Sequence, residues 1–476
     1  MPKQRDRLET HLWNAVEELR ANSSLKPSEY SVPVLGLIFL LRAEPVKFKN
    51  LLDLPVKEDA GEAVDQVIGA ITLNNKELEL VLPTGYAQLG NEGVRKLLNI
   101  FHQILAEAAK GDVLGEIYQY FLENFTRQER QQGGEFYTPL TLARLIAEII
   151  EPDEGKLLDP ACGAGAMFAQ AIERLRQKGS EQAITVYGQD KIEATVKMCQ
   201  MNLAIHGIPG LSNIRQANSY YEDVHASVGA FDFVMANPPF NINGVDTDRL
   251  HLARDRYPFG VPSANGNYAW IQMFYSALNQ KGRAGFIMPN TASDTRFGEQ
   301  EVRRQLIETT CVDAVIAISP DIFPVACNLW FLDKRKIGQE RANQVLFVDA
   351  RHIYCQITRS RQEFSEEQIN FIRGIVQLYR GEQPSKNQEL INLFPDGYRD
   401  VPGLCKAQTL SYIKTQQWSL NPLRYIKIAT NELTEDFRFV DQLGKLRNEL
   451  DVLNTQSKVL EDRISGKLTT LLGENR

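Results

Sequence analysis

Between residues 150 and 350 the chain alternates short apolar runs with longer segments of helical spacing, and no other feature restricts its fold as strongly. The runs "KLLDPA" (156–161), "ITVYGQD" (184–190), "NIRQAN" (213–218), "FDFVMAN" (231–237), "GRAGFIMP" (282–289) and "VDAVIAI" (312–318) predict strands. "AMFAQAIERLRQK" and "KIEATVKMCQMNLAIHG" predict helices between the early ones, and "NLWFLDKRK" and "QVLFVDA" extend the series. Strand and helix in turn imply an α/β fold: a doubly wound, mostly parallel, Rossmann-like sheet with helices on both faces.

At 476 residues the chain exceeds one comfortable core, so about two to four units are expected. Residues 1–125 read as a helical domain. "RLETHLWNAVEELRAN" places apolar residues at 8, 12, 13, 16 and 19, the spacing of one buried helix face. "GVRKLLNIFHQILAEAAKG" repeats the pattern and stops at Gly111, and "VLGEIYQYFLENF" adds another stripe. Residues 126–384 hold the sheet and 385–432 a mixed connecting segment. In 433–476, Leu443, Leu446, Leu450, Leu453, Leu460, Ile464 and Leu471 fall on alternating three- and four-residue steps, interrupted by Ser457 and Lys467. That is the seam of a coiled-coil helix, which needs a partner to lie against.

The longest apolar run, "VPVLGLIFLL" (32–41), is too short to cross a bilayer, and no signal peptide is recognisable; we expect a soluble, cytoplasmic protein with no membrane contact. The six cysteines are scattered without a CxxC pair, which argues against both a disulfide framework and a zinc site. A net charge of -7 means that the surface as a whole does not attract polyanions. Contact with nucleic acid would need locally concentrated basic groups or a partner that supplies them.

"LLDPACGAGAMF" ends a strand in an acid and turns into a helix through Gly163 and Gly165, which let a ligand approach the backbone closely. Alone, such a turn is equally a tight strand-to-helix connection. The next strand ends in "GQD", and its Asp190 stands where doubly wound sheets hold a ribose by its hydroxyls. The fourth strand delivers "NPPF". Proline holds φ near about -65° and restricts the residue before it, so Asn237 and the neighbouring carbonyls keep nearly one shape. The Asn237 side-chain oxygen and the Pro238 carbonyl are two acceptors for one planar amino group, and Phe240 offers a stacking face.

In this order, "GEFYTP" (134–139), "DPACGAG" (159–165), "GQD" (188–190) and "ANPPF" (236–240) resemble the gamma-class methyltransferases acting on adenine N6 in DNA. More narrowly, they resemble the modification (HsdM) subunit of type I restriction-modification systems, a likeness that covers nearly the whole chain. The resemblance implies S-adenosylmethionine as methyl donor. Glu135, Phe136, Tyr137, Thr138 and Pro139 match the segment that closes over it; Asp159, Ala161, Gly163, Ala164, Gly165 and Ala166 match its methionine-binding turn. Asp190 matches the ribose ligand, and Asn218 stands where the broader class often has an acid near the cofactor adenine. Ala166 replaces a glycine common among relatives. Asn237, Pro238, Pro239 and Phe240 match the catalytic tetrad. Phe323 falls where related enzymes carry a second aromatic against the flipped base, and a core phenylalanine is the other reading of that position.

The implied reaction is direct methyl transfer to an adenine extruded from the duplex, with no metal. No target-recognition element is evident. Arg249, Arg254 and Arg256 in "DRLHLARDRYPFG" either touch phosphates or belong to a solvated loop. The implied partners are double-stranded DNA, a DNA specificity subunit docked on the terminal helix, a second modification subunit and, where one exists, a restriction subunit. Three alternatives stay open: a protein glutamine methyltransferase, a self-sufficient DNA methylase and a non-catalytic scaffold of the same fold.

Overall fold

A computed structural model describes Trp13, residues 27–107 except 74, 75 and 80, residues 117–125 except 119 and 123, and residues 138–426 except 181, 182, 262–264, 359, 360, 385 and 386. The strands are β1 Gly155–Asp159, β2 Ile184–Asp190, β3 Ile214–Gln216, β4 Phe231–Ala236, β5 Leu278–Pro289, β6 Val312–Ala317, β7 Cys327–Asp333, β8 Gln344–Asp349, β9 Cys355–Thr358, β10 Arg361–Glu363 and β11 Cys405–Thr409. Nine join one sheet in the order β3-β2-β1-β4-β5-β7-β6-β8-β11, while β9 and β10 pair separately. β7 runs antiparallel to both neighbours, β11 runs antiparallel to β8, and the remaining pairs are parallel.

Both faces of the sheet are covered, which is why its strands read as unbroken apolar runs. β4 sends Val234 and Ala236 into one apolar cluster and Phe233 and Met235 into the other; β8 divides Val345 and Phe347 from Leu346 and Val348 in the same way. Helices Leu140–Ile150, Ala166–Gln177, Glu193–Ile205 and Glu366–Arg380 contribute to the first face, and Asn267–Ala277 and Gly298–Glu308 to the second. The N-terminal helices extend the first layer, with Pro27–Ala43 packed against Glu193–Ile205.

All eight predicted strands are present. "KLLDPA" stops early, at Asp159, because that side chain accepts from the Ala161 N–H at 3.0 Å and turns the chain. β11 was not expected. Its residues, "CKAQT", are mostly half-buried at the sheet edge, so they lack the continuous apolar signal of the central strands.

The chain divides into two compact units, Met1–Ile426 and Lys427–Arg476. The second, with the expected terminal seam, lies outside the described residues, as do Glu135, Phe136, Tyr137 and most of "RLETHLWNAVEELRAN". Among the described residues no helix is long and apolar enough to cross a membrane.

Candidate functional site

β1 and β4 are parallel neighbours, yet the chain leaves β1 toward β2 and β3 and returns to β4 from the other side. Connections at the carboxyl ends therefore diverge, and a doubly wound sheet opens a crevice there. This one encloses about 860 Å³, open space at its mouth included. Ala161, Asp190, Asn218, Asn237, Pro238 and Pro239 line it, so residues from four strand ends converge.

At the β1 end the turn follows from backbone geometry. Gly163 and Gly165 have φ of 53° and 85°, and a Cβ on Gly165 would lie 2.9 Å from Cys199 Sγ. Only glycine fits such a position without strain. The buried Asn202 donates from Nδ2 to the Ala164 carbonyl at 2.8 Å, pinning the turn to the next helix. Asp190 holds its other side: Oδ2 accepts from Gly163 N–H at 3.1 Å and Oδ1 from Ile192 N–H at 3.0 Å. Asp159 is 1% exposed and acts within the turn, behind the lining.

At the β4 end, Asn237 Nδ2 donates to Thr138 Oγ1 at 2.9 Å. With its nitrogen so engaged, the amide has Oδ1 as its acceptor end. After the two prolines and Phe240, Asn241 takes a left-handed φ of 53°. Asn267 holds it from both sides: its Oδ1 accepts from Asn241 N–H, and its Nδ2 donates to Asn241 Oδ1, each at 2.9 Å. Phe240 and Phe323 come together, with ring centroids 5.8 Å apart and tilted by 46°, but both are buried and neither lines the crevice.

The reading from sequence missed the crevice's aromatic wall. Tyr220 and Trp270 pack with centroids 4.7 Å apart, and Tyr221, Ile242 and Val245 continue the surface. Tyr257 supports it by donating its hydroxyl to the Tyr220 carbonyl at 2.6 Å; burial pushes that phenol up to about 12, so it stays a donor at neutral pH. "SYYED", directly after Asn218, was the available signal. Of the three arginines in the following loop, Arg256 is buried with Nη2 2.9 Å from Met273 Sδ, which removes it from any contact with phosphate. Arg249 and Arg254 are exposed, the former 3.9 Å over the Tyr221 ring.

Among the described residues, charge in the lining is confined to Asp190 and Lys191 at the β2 end, whereas the β4 end is neutral and bounded by an amide, carbonyls and rings. That division suits a polar ligand at one end and a planar group with an amino substituent at the other.

The family model for N-6 DNA methylases matches residues 109–435. The chain is 32% identical over 449 residues to the type I restriction enzyme MjaIX methylase subunit of Methanocaldococcus jannaschii, covering 90% of this chain and 77% of that one. It is 29% identical over 424 residues to the HindI methylase subunit of Haemophilus influenzae, covering 85% and 91%. Its fold is similar to the crystal structure of the type I restriction-modification methyltransferase subunit from Streptococcus thermophilus, with a TM-score of 0.68 and 19% identity over 89% of this chain and all of that one.

Proposed function

This chain belongs to the N-6 DNA methylase family, among the methylase subunits of type I restriction enzymes, and from that membership we propose how its crevice carries out adenine methylation in DNA. S-adenosylmethionine is the donor, held at the β1–β2 end, and the N6 amino group of an extruded adenine is the acceptor, received at the β4 end. The donor fits the residues present. A glycine turn with no room for a Cβ, an acid at the end of β2 and a neutral amide at Asn218 suit its amino-acid portion, ribose and adenine. When bound, it supplies a methyl group already activated on a sulfonium.

Asp190 orients the ribose hydroxyls while keeping the Gly163 turn closed. Asp159, Ala161 and Gly163 to Ala166 shape the seat for the amino-acid portion, Thr138 and Pro139 stand near its methionine end, and Asn218 lies beside the adenine. Asn237 Oδ1 and the Pro238 carbonyl accept from the two N6 hydrogens, which weakens conjugation of that nitrogen with the ring and leaves its lone pair available for the methyl group. The prolines keep both acceptors in place beforehand, so little reorganisation accompanies the reaction. Phe240 and Phe323 support the loop from below. The observation that carries this reading is the Asn237 amide, oriented by Thr138 and opening onto the same crevice as Asp190.

Target choice falls to a separate DNA specificity subunit, with a second methylase chain and, where one exists, a restriction subunit completing the assembly. A net charge of -7 and the heptad pattern of the sequence from Leu443 to Leu471, which needs a partner helix, support that division. The test is transfer of a labelled methyl group by the chain assembled with its specificity subunit. Duplex DNA acquires label recovered as N6-methyladenine, and Asn237→Ala lowers the transfer about a thousandfold while donor binding persists. Near-normal turnover by that variant, or label on protein in place of DNA, would overturn the assignment.

A further inference from the structure

Two loops leave the carboxyl edge of the sheet side by side, because β4 and β5 are parallel neighbours. The first carries Asn237. The second runs from Asn290 to Phe297, whose side chain is 91% exposed, the highest value for any large apolar residue described. Its backbone has φ 61° and ψ -136°, a conformation suited to glycine. Phe297 also stands at the N-cap of helix Gly298–Glu308 without capping it. A serine there would cap the helix and a glycine would relax the backbone; phenylalanine does neither, so nothing among the described residues accounts for it.

The loop below is held by many bonds. The buried Arg303 donates to the carbonyls of Thr295 (2.8 Å), Ala292 (3.3 Å) and Trp418 (2.7 Å) and to Thr295 Oγ1 (2.9 Å). Asp294 accepts from Asn421 Nδ2 at 3.0 Å and pairs with Arg424 at 3.2 Å. Tyr268 donates its hydroxyl to the Ala292 carbonyl at 2.6 Å, and the residue before it is Asn267, which clamps Asn241. Adjacent residues of one helix thus brace both loops.

We propose that Phe297 is a wedge that enters the DNA stack as the target adenine leaves it, with the exposed Arg296 against the adjoining phosphate. This rests on the reading of the crevice given above. A duplex is the favoured occupant over a protein surface because Phe297 is almost fully exposed and its neighbours along the chain, Asp294, Thr295, Arg296, Gly298 and Gln300, offer none of the apolar side chains that a protein hot spot gathers around an aromatic.

The test uses the full chain assembled with its specificity subunit and two duplexes, one with the target adenine paired and one with it opposite an abasic site, where it is already loosened. Phe297→Ala should slow single-turnover methylation of the paired duplex about tenfold or more, yet stay within about twofold of the wild type on the abasic one. Phe297→Trp should restore the paired rate. Phe297→Gly should lose rate like alanine while melting no lower than the wild type, since its backbone is relaxed. Unchanged rates for Phe297→Ala, an equal loss on both duplexes, or failure to co-elute with the specificity subunit would each overturn the wedge. A wild-type complex that methylates neither duplex would instead overturn the crevice reading, and the wedge with it.

Discussion

At the carboxyl ends of β2 and β4, Asp190 accepts from nearby backbone, Asn237 donates to Thr138, and both line a crevice. At the opposite edge, where β5, β6 and β8 begin and β7 ends, polar side chains bond to one another. Asp313 and Asp333, both fully buried, are tied together by Arg341, whose Nη2 lies 2.8 Å from Asp333 and whose Nη1 bonds Asp313. Arg380 reaches Asp313 at 2.9 Å, and Arg283 reaches Asp333 at 3.3 Å, Glu151 at 3.2 Å and Glu382 at 3.1 Å. Lys336 donates to the Val312 carbonyl at 2.6 Å and to that of Gln344. Burial alone would raise the Asp313 carboxyl, but the charges of Arg380, Lys336 and Arg341 together outweigh it and hold its pKa below the usual value. One edge turns polar groups toward a crevice; the other satisfies its charges internally and serves as the fixed base from which the loops project. Activity and stability should therefore separate by edge.

The largest effect belongs to the crevice. Asn237→Ala should lower the methyl-transfer rate about a thousandfold, the scale of losing a preorganised polar contact to the reacting group. Because its partner Thr138 is a hydroxyl that can rotate, unfolding free energy in urea should fall by less than about 1 kcal/mol. A large loss of stability in this variant would break the separation.

At the opposite edge Asp313→Asn reverses the pattern. It leaves Arg341, Arg380 and Lys336 buried with one anion fewer, and breaking a buried ion cluster at one member costs about 3 kcal/mol or more. Urea denaturation should show that loss, while the methylation rate well below the melting temperature stays within about twofold of the wild type. A rate that falls with stability would mean that the base steers the crevice.

Lys336 sharpens the same point through pH. Burial pushes its ammonium down to about 8 against the opposing charge of Asp313, so the folded state sheds this proton more readily than the unfolded chain does. Above that value the unfolded state binds more protons, and stability contributed by this site rises with pH up to its ordinary value of 10.5. Arg341 is held above its ordinary value and Asp313 below its own, so neither titrates there, and the Cys311 thiol is pushed up to about 11 by burial. Relative to Lys336→Met, the wild type should gain about 2 kcal/mol between roughly pH 8 and 9.5. A pH-independent difference between the two would remove Lys336 as the source.

What could be read from sequence divides along similar physical lines. The central strands were legible because burial on both faces makes them continuously apolar, and the Asn237 loop because two prolines allow few shapes. β11 was not, since an edge strand with half-buried polar residues looks like a loop. Nor was the wall of Tyr220 and Trp270, because an aromatic in a crevice has the same local sequence as one in a core. The Thr138–Asn237 contact joins residues 99 apart, and no local pattern encodes such a pairing. The charges of the opposite edge sit singly at strand ends, where a solvated acid and a buried one are spelled alike.

The smallest effect tests how finely the crevice depends on its loop. Asn267 is 1% exposed and touches no lining acceptor, yet both of its bonds to Asn241 hold the chain in a left-handed turn immediately after the tetrad. Without them Asn241 can relax to an ordinary φ, and Asn237 and Pro238, a few bonds upstream, lose their shared aim. Asn267→Ala should therefore lower kcat about tenfold, equivalent to about 1.4 kcal/mol, with donor affinity unchanged because the β1–β2 end is untouched. Asn267→Asp keeps the acceptor for the Asn241 N–H and loses the donor, so its rate should fall between the two. A merely structural residue would instead lower the melting temperature in both variants and leave kcat alone; that result would confine the functional edge to residues that line the crevice.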